Sequence, residues 1–159
     1  MPDVHAPARR VSPRRDSVEA VTHHNDPDVV RRLLATPARW AVVGLRDNPA
    51  RTAYRIAPYL RDRLGMQIVP VHPRAQSVHG ETGYAALADI PGQIDVVDVF
   101  VRSELAGTIV DEAIEVGAKA VWLQLGVVDE AAAARAAEAG LDVVMDTCPA
   151  IEAPRLGLV

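Results

Sequence analysis

The sequence is poor in cysteine, in long apolar runs and in excess positive charge. Cys148 is its one cysteine among 159 residues, which excludes an intrachain disulfide and favours a reducing compartment. No apolar run approaches the roughly 20 residues that span a bilayer, and the Arg-rich N-terminus lacks the apolar core of a secretory signal. A formal net charge of −4 argues against a general nucleic-acid binder, which needs many clustered cations. These absences predict a cytoplasmic globular protein with neither a membrane nor a nucleic-acid partner.

What is present falls into two unequal parts. Residues 1–25 interleave prolines with arginines and show neither a helical nor a strand period, which predicts a flexible basic tail. Residues 26–159 are enough for a single core of ordinary size, in a chain with 49% hydrophobic and 24% charged residues. The sequence therefore predicts one domain over 26–159.

Within this domain, short β-branched segments alternate with amphipathic ones. The former predict strands buried on both faces, at 40–44, 68–71, 94–100, 120–123 and 141–145. The latter predict helices from Asp26-Pro27 to Pro37 and at 50–64, 103–116 and 129–139. Ser103 and Asp129 are the expected caps of the last two, and Trp40 and Trp122 are expected in the core. The alternation predicts an α/β fold, a Rossmann-like, doubly wound, mostly parallel sheet in a single domain.

Residues 73–93 break this alternation. We expect a short edge strand near 77–80 and one helical turn around 84–88. With the edge strand counted as third, the predicted strand order is 3-2-1-4-5-6, which reverses between strand 40–44 and strand 94–100. Ligands of such sheets bind beyond the carboxyl ends of the strands, at this reversal.

Three arginines are predicted to converge on that crevice. Arg46 and Arg51 lie in the loop after strand 40–44, and Arg102 lies in the loop after strand 94–100. Both loops lead into helices, whose N-terminal N–H groups and partial positive charge favour anions. The crevice is therefore predicted to bind phosphate.

The loop after the first strand departs from the dinucleotide fingerprint, which normally carries three glycines. Here Gly44 stands alone. The second strand runs into His72-Pro73-Arg74, where a nicotinamide enzyme has an acidic residue for the ribose hydroxyls. A cation there suits a ribose that bears a phosphate, as in NADP or coenzyme A, and these residues alone leave both open.

Several runs resemble the stand-alone bacterial CoA-binding proteins, a family similar to the nucleotide-binding domain of the succinyl-CoA synthetase alpha subunit. The most specific are Val-Trp-Leu-Gln-Leu-Gly at 121–126 and Pro-Val-His-Pro at 70–73, and the resemblance covers about residues 38–156. It implies a Rossmann-like fold that holds CoA by its adenosine diphosphate, with no established reaction of its own. With the loop arginines and their neighbours, the predicted coenzyme-binding set is Gly44, Arg46, Asn48, Arg51, Thr52, His72, Pro73, Arg74, Phe100 and Arg102.

Groups suited to catalysis are scarce. The sequence has neither a Gly-x-Ser-x-Gly elbow nor a phosphate loop ending in Gly-Lys-Ser/Thr, and no set of metal ligands accompanies His72 or His79. Cys148 has no evident base beside it and is expected to be a small buried residue. Asp98 and Asp146 are expected either to orient ligand hydroxyls or to cap a loop. We therefore predict no catalytic residue and no metal site.

The resulting prediction is a non-catalytic binder of CoA or acyl-CoA that holds its ligand by the adenosine diphosphate. A small NADP-dependent reductase, or a CoA-transferase component that needs a partner chain, is the alternative from the enzyme class. A third possibility is an interaction protein with a vestigial nucleotide site. A general acid or base at the crevice would favour an enzyme, and beyond His72 the sequence offers none. The sequence specifies no protein partner.

Overall fold

The computed structural model describes residues 22–159, which form a five-stranded parallel sheet flanked by helices. Each strand is a short run dominated by apolar residues, paired in parallel with its neighbours. The strands are β1 (Arg39–Val43), β2 (Gln67–Val71), β3 (Val96–Val99), β4 (Ala120–Leu123) and β5 (Asp142–Val144). Their order is β2-β1-β3-β4-β5, which confirms the predicted Rossmann-like, doubly wound α/β fold.

Five α-helices lie in the described part of the chain. Aspartates begin two of them, because the carboxylates of Asp26 and Asp129 each accept a first-turn N–H at 2.9 Å. The second helix passes at Pro58 into a π-helical turn, Tyr59–Arg63, because proline lacks the N–H that would continue the α pattern. Between residues 22 and 159 no helix is long and apolar enough to cross a membrane. The helices are α1 (Pro27–Ala35), α2 (Thr52–Pro58), α3 (Ser103–Glu115), α4 (Glu130–Glu138) and α5 (Pro149–Arg155).

The helices cover both faces of the sheet, because consecutive strand residues point to opposite faces. The face that carries Ala41, Val97 and Val121 packs against α3 and α4, and the other face packs against α1, α2 and α5. On this second face Trp40 and Trp122 are fully buried, with ring centroids 5.6 Å apart. Both tryptophans therefore belong to the core, as their positions in the strands predict.

The edge strand expected at 77–80 is not formed, and that expectation is wrong. Val78 and Glu81 exchange two backbone hydrogen bonds, of 3.1 and 2.9 Å, across His79 and Gly80. The φ angles of these two central residues are 53° and 78°, as in the tight turns that reverse a chain within two residues. The segment therefore turns back on itself before it can extend along the sheet.

A single residue takes the edge position beside β2. Tyr84 forms a parallel bridge with Val71, and its N–H donates to the carbonyl oxygen of Pro70 at 3.0 Å. The helical turn expected at 84–88 lies slightly later, as a 3-10 turn over Leu87–Asp89. Apart from the missing edge strand, the strand order is the predicted one.

The start of one helix and the presence of another also differ from the expectation. Ser103 is the first residue of α3 rather than its cap, and its hydroxyl instead accepts the N–H of Val128 at 3.0 Å. The last helix, α5, has no counterpart among the predicted elements, because Pro149 and Pro154 obscure its helical character. Pro149 lies in the first turn, where a missing N–H costs little.

The predicted tail, residues 1–25, lies outside the described residues except for 22–25. Within this short segment the side-chain amide of Asn25 donates to the carbonyl oxygen of Met145 at 2.8 Å and accepts the Met145 N–H at 2.9 Å. The N–H of His23 donates to the carboxylate of Glu130 at 2.7 Å. Residues 23 and 25 are thus bonded to the domain beside the end of β5.

Candidate functional site

A groove opens along the carboxyl edge of the sheet, above the reversal of strand order between β1 and β3. It has a volume of about 1290 Å³ and extends from His72, after β2, to Ile151, in the first turn of α5. Residues at the ends of β1, β2, β3 and β4 contribute to its lining, as do residues of α2 and α3. Its place in the fold is the one at which doubly wound sheets bind ligands.

The structure brings most of the predicted binding residues to this groove. Asn48 and Arg74 are the two that do not line it. The side-chain oxygen of Asn48 accepts the N–H of Ala50 at 3.0 Å, which shapes the loop after β1. Arg74 is exposed two residues beyond His72. The eight predicted residues that line the groove are Gly44, Arg46, Arg51, Thr52, His72, Pro73, Phe100 and Arg102.

Gly44 allows two loops to approach each other in the middle of the groove. Its φ of +98° lies in the region that favours glycine, and a β-carbon there would lie 2.5 Å from the carbonyl oxygen of Phe100. Its N–H donates to the carbonyl oxygen of Val71 at 2.8 Å. The fingerprint's one remaining glycine is therefore required by close contact between the ends of β1 and β3.

The arginines of the groove have no acidic partner in the described part of the chain. Among residues 22–159, Arg46, Arg51 and Arg102 have no carboxylate within salt-bridge distance. An unpaired guanidinium beside a groove is free to bind an anion such as phosphate. The arginines that do form salt bridges lie elsewhere on the described surface, and they are Arg32, Arg61, Arg135 and Arg155.

The two helices that begin beside these arginines lack side-chain caps. α2 begins after Arg51 and α3 begins after Arg102, and neither residue's side chain bonds to the first turn. By contrast, aspartates cap α1 and α4, whose residues do not line the groove. The first-turn N–H groups of α2 and α3 therefore add to the positive potential of the arginines.

His72 lines the groove at the end of β2. Its backbone N–H donates to the carbonyl oxygen of Tyr84 at 3.0 Å, and its Nδ1 accepts the N–H of Arg74 at 3.2 Å. Partial burial, together with the charges of Arg46 and Arg74, lowers the pKa of His72. The ring is therefore neutral at neutral pH, and with Nδ1 accepting it carries its proton on Nε2, as a donor.

One wall of the groove comes from α3, and the predicted binding set omits it. Leu105, Ile109 and Glu112 recur at helical spacing and line the groove. The spacing of Leu105 and Ile109 predicts an apolar stripe on α3. It does not show that the first turn of α3 remains exposed at the groove. Leu105 is 49% exposed.

Asp98 on β3 is fully buried near the groove and does not line it. The amide nitrogen of Gln124, which does line the groove, donates to one carboxyl oxygen of Asp98 at 2.5 Å. The other carboxyl oxygen has no hydrogen-bond partner among the described residues. Burial raises the pKa of Asp98 to about 8, against the hydrogen bond from Gln124, so this carboxyl is protonated at neutral pH. Asp98 therefore does not orient a ligand hydroxyl directly, which corrects that alternative.

The residues after β5 close the far end of the groove. Asp146, with a φ of 59°, accepts the N–H of Gly126 at 2.8 Å and so holds the loop after β4, which is its loop-capping alternative. Cys148 is buried and lines the groove. Burial raises the pKa of its thiol. The thiol is therefore protonated at neutral pH.

The histidines of the domain do not form a metal centre. His79 packs on Tyr54, with ring centroids 4.2 Å apart, and its Nε2 lies 2.7 Å from the Tyr54 carbonyl oxygen. No group of three or more His, Cys, Asp or Glu side chains in residues 22–159 is placed to hold a metal ion.

The chain is similar to known proteins of two sizes. It is 37% identical over 119 residues to the uncharacterized protein YneT of Bacillus subtilis (strain 168), a match that covers 75% of this chain and 87% of YneT. A solved structure of a hypothetical protein from Pyrococcus horikoshii OT3 is 36% identical with a TM-score of 0.77, over 82% of this chain and 92% of that one. Both relatives are therefore covered over most of their length.

The second kind of relative is much larger. The chain is 28% identical over 85 residues to the acetate–CoA ligase [ADP-forming] II subunit alpha of Pyrococcus furiosus, which is 54% of this chain and 19% of that subunit. The resemblance to a CoA-ligase alpha subunit is thus confined to a small part of that protein. The profile described as "CoA binding domain" matches residues 38–154, which include every predicted binding residue. The chain belongs to the CoA-binding domain family.

Proposed function

We propose that the chain binds coenzyme A or an acyl-CoA through the adenosine diphosphate portion and catalyses no reaction by itself. The observation that carries this proposal is the set of unpaired arginines, Arg46, Arg51 and Arg102, around a groove at the reversal of strand order. Uncompensated cations in a groove favour an anionic ligand. Membership of the CoA-binding domain family supports CoA as that ligand.

The pyrophosphate is assigned to the loop after β1. Arg46 and Arg51 supply charge there, and Thr52 supplies a hydroxyl at the start of α2. A charge-assisted hydrogen bond contributes about 1.5–3 kcal/mol. Loss of either guanidinium should therefore weaken binding about tenfold or more.

The ribose phosphate is assigned to His72-Pro73-Arg74. His72 offers the Nε2 proton as a donor, and the exposed side chain of Arg74 begins two residues further on. A protein that binds a ribose with two free hydroxyls has a carboxylate at this position, and that carboxylate would repel a phosphate. The basic residues therefore favour a phosphorylated ribose, in CoA before dephospho-CoA or NAD.

The non-catalytic part of the proposal rests on the state of the groove's titratable groups. The thiol of Cys148 is protonated because burial raises its pKa, so it is a poor nucleophile. His72 has no carboxylate partner among the described residues, and Asp98 is buried away from the groove surface. Acid–base and nucleophilic catalysis both need such groups paired within hydrogen-bond reach of the substrate.

Titration calorimetry with CoA, dephospho-CoA, NADP and NAD tests the proposal. We expect CoA to bind most tightly, and dephospho-CoA and NAD to bind about 1–3 kcal/mol less tightly, because one ionic contact is lost. Arg51→Ala should weaken CoA binding about tenfold or more. Arg74→Glu should remove the preference for CoA over dephospho-CoA. Arg55→Ala is the matched control for Arg51→Ala, because Arg55 is exposed on α2, the helix that follows Arg51, but does not line the groove.

Three results would count against the proposal. Unchanged CoA affinity in Arg51→Ala would remove this residue from the phosphate site. Tighter binding of NADP than of CoA would favour the alternative, a small NADP-dependent reductase. Steady thioester hydrolysis or NADPH oxidation that is lost in His72→Ala would show catalysis, either by the chain itself or as a component of a transferase.

A further inference from the structure

We infer that the groove takes an aliphatic acyl-CoA and holds its acyl group at the β4–β5 end. This end is formed by Gln124, whose amide is bonded to the buried Asp98, and by the apolar or weakly polar side chains of Leu125, Val127, Cys148 and Ile151, none of which is charged. The inference rests on the proposed function, since it extends the same ligand along the same groove. It also selects between the two ligands left open there, free CoA and an acyl thioester.

The strand order sets the direction in which the ligand runs. The phosphorylated ribose is assigned to the residues after β2 and the pyrophosphate to the loop after β1, so the pantetheine arm continues over β3 towards β4 and β5. Neighbouring strands are about 4.8 Å apart, so β5 lies about 14 Å from β1. The arm has about the length of four extended residues, roughly 14 Å. Its sulfur, and any group esterified to it, therefore reaches the β4–β5 end.

Exposed apolar side chains are concentrated along this groove. Of the five large hydrophobic residues that are exposed in the described chain, Leu105, Leu125 and Ile151 line it, and Val128 and Val159 do not. Leu125 is 62% exposed and Ile151 is 42% exposed. A single exposed leucine is ordinary, but apolar side chains grouped at a groove mark a surface that an apolar ligand covers.

The two ends of the groove therefore differ in chemistry, as the two ends of an acyl-CoA do. Arg46 and Arg51 follow β1, at the end assigned to the phosphates, and Arg102 follows β3, over which the arm passes, whereas the side chains that line the β4–β5 end are uncharged. Free CoA would place only a thiol there and leave Leu125 and Ile151 largely uncovered. An acyl chain of several carbons would cover both side chains.

The expected effect follows from the burial of methylene groups. Full burial of one methylene raises affinity up to about fourfold, which corresponds to about 0.8 kcal/mol. Since the groove is open to solvent on one side, about half of that free energy is expected, or about twofold per methylene. Hexanoyl-CoA, which has four more methylene groups, should therefore bind more tightly than acetyl-CoA by a factor of about ten or more.

Titration calorimetry of the full chain with CoA, acetyl-CoA, butyryl-CoA and hexanoyl-CoA tests the inference. We expect affinity to rise with chain length in the wild-type protein. In the double variant Leu125→Ser/Ile151→Ser the rise should disappear, while CoA affinity stays within about threefold. Val159→Ser is the control, because Val159 is 43% exposed, about as much as Ile151, but lies outside the groove. Thermal unfolding of each variant checks that the fold is retained.

Each other outcome identifies which statement fails. If CoA binds but affinity is flat or falls with chain length, the acyl inference is overturned and the proposed function stands. A rise that persists in the double variant overturns the assignment to the β4–β5 end. If neither CoA nor any thioester binds, the proposed function fails, and the acyl inference fails with it.

Discussion

Replacing Asp98 with asparagine should make the stability of the folded domain less dependent on pH, so that the variant gains on the wild-type chain as pH rises. Burial raises the pKa of Asp98 to about 8 in the folded chain, from 3.8 for an exposed aspartate. Between these two values the folded chain retains a proton that the unfolded chain has released. The unfolded state therefore binds fewer protons, and the free energy of unfolding falls as pH rises.

The size of this effect follows from the two pKa values. One proton held only by the folded state changes the free energy of unfolding by about 1.4 kcal/mol per pH unit. Over the interval from about pH 4 to about pH 7 the loss is about 4 kcal/mol, a large part of the stability of a domain of this size. An asparagine side chain keeps an oxygen that can accept the Gln124 amide hydrogen, and it has no proton to lose.

Urea unfolding of the wild-type chain and of Asp98→Asn, at steps between about pH 4.5 and about pH 8, measures this dependence. The difference in free energy of unfolding should shift in favour of the variant by about 1.4 kcal/mol per pH unit. Asp47→Asn is the matched control, because Asp47 is exposed and makes no hydrogen bond within the described chain. A difference between Asp98→Asn and wild type that does not change with pH would refute the claim that the folded chain keeps Asp98 protonated.

The remaining predictions concern the groove. CoA affinity should rise as the solution becomes acidic, because His72, whose pKa is lowered chiefly by burial, gains its charge only at acidic pH and then pairs with phosphate. Calorimetry over a pH series should show no such rise in His72→Asn. Gly44→Ala should lower the free energy of unfolding by about 1–3 kcal/mol in urea titrations, because a β-carbon there meets the Phe100 carbonyl at a φ of +98°. An equal loss in Gly126→Ala, where φ is +83° but the space is open, would show that the close contact is not the cause. Alkylation of Cys148 by iodoacetamide should be slow at neutral pH, because burial raises its pKa, and bound CoA should slow it further; labelling that CoA accelerates would contradict its place in the groove.

The sheet could be predicted because its strands are apolar on both faces and must therefore be covered on both sides. Segments such as 120–123 and 68–71 are short and apolar on both faces, which only a covered parallel sheet accommodates. Asp26 and Asp129 predict the starts of two helices, and in the structure their carboxylates accept hydrogen bonds from the first turns. Local signals and the sheet's covered faces agree in these elements, and the strand order is the one typical of doubly wound sheets.

The prediction failed where tertiary contacts override local pattern. Within residues 77–80 only Val78 favours a strand, and His79 and Gly80 adopt left-handed conformations that reverse the chain. In α5, Pro149 lies in the first turn, where the helix tolerates a missing N–H, whereas Pro154 lies inside the helix and interrupts the helical pattern in the sequence. Nothing in the sequence around Asp98 indicates that its carboxyl is fully enclosed, since burial depends on distant elements.

In the candidate site, too, some residues were predictable from the sequence and others were not. The residues after β1, β2 and β3 were predictable, because the carboxyl-edge rule needs only the strand order. The wall formed by Leu105 and Ile109 depends on how α3 rotates about its axis, which periodicity does not determine. Ile151 belongs to α5, a helix that the sequence pattern did not predict, so its place at the β4–β5 end was not predictable. Leu125 follows β4 at the same carboxyl edge, but the predicted set included only residues after β1, β2 and β3.

Both lateral edges of the sheet end in pairings that a further strand cannot use. Beside β5, the side-chain amide of Asn25 occupies both the N–H and the carbonyl oxygen of Met145. Beside β2, Pro70 has no N–H to offer, and the Tyr84 N–H occupies its carbonyl oxygen. Unpaired strand edges are templates for intermolecular pairing and aggregation. At these two positions, the end of β2 and the residue just after β5, the backbone therefore offers no free group to a strand from another molecule.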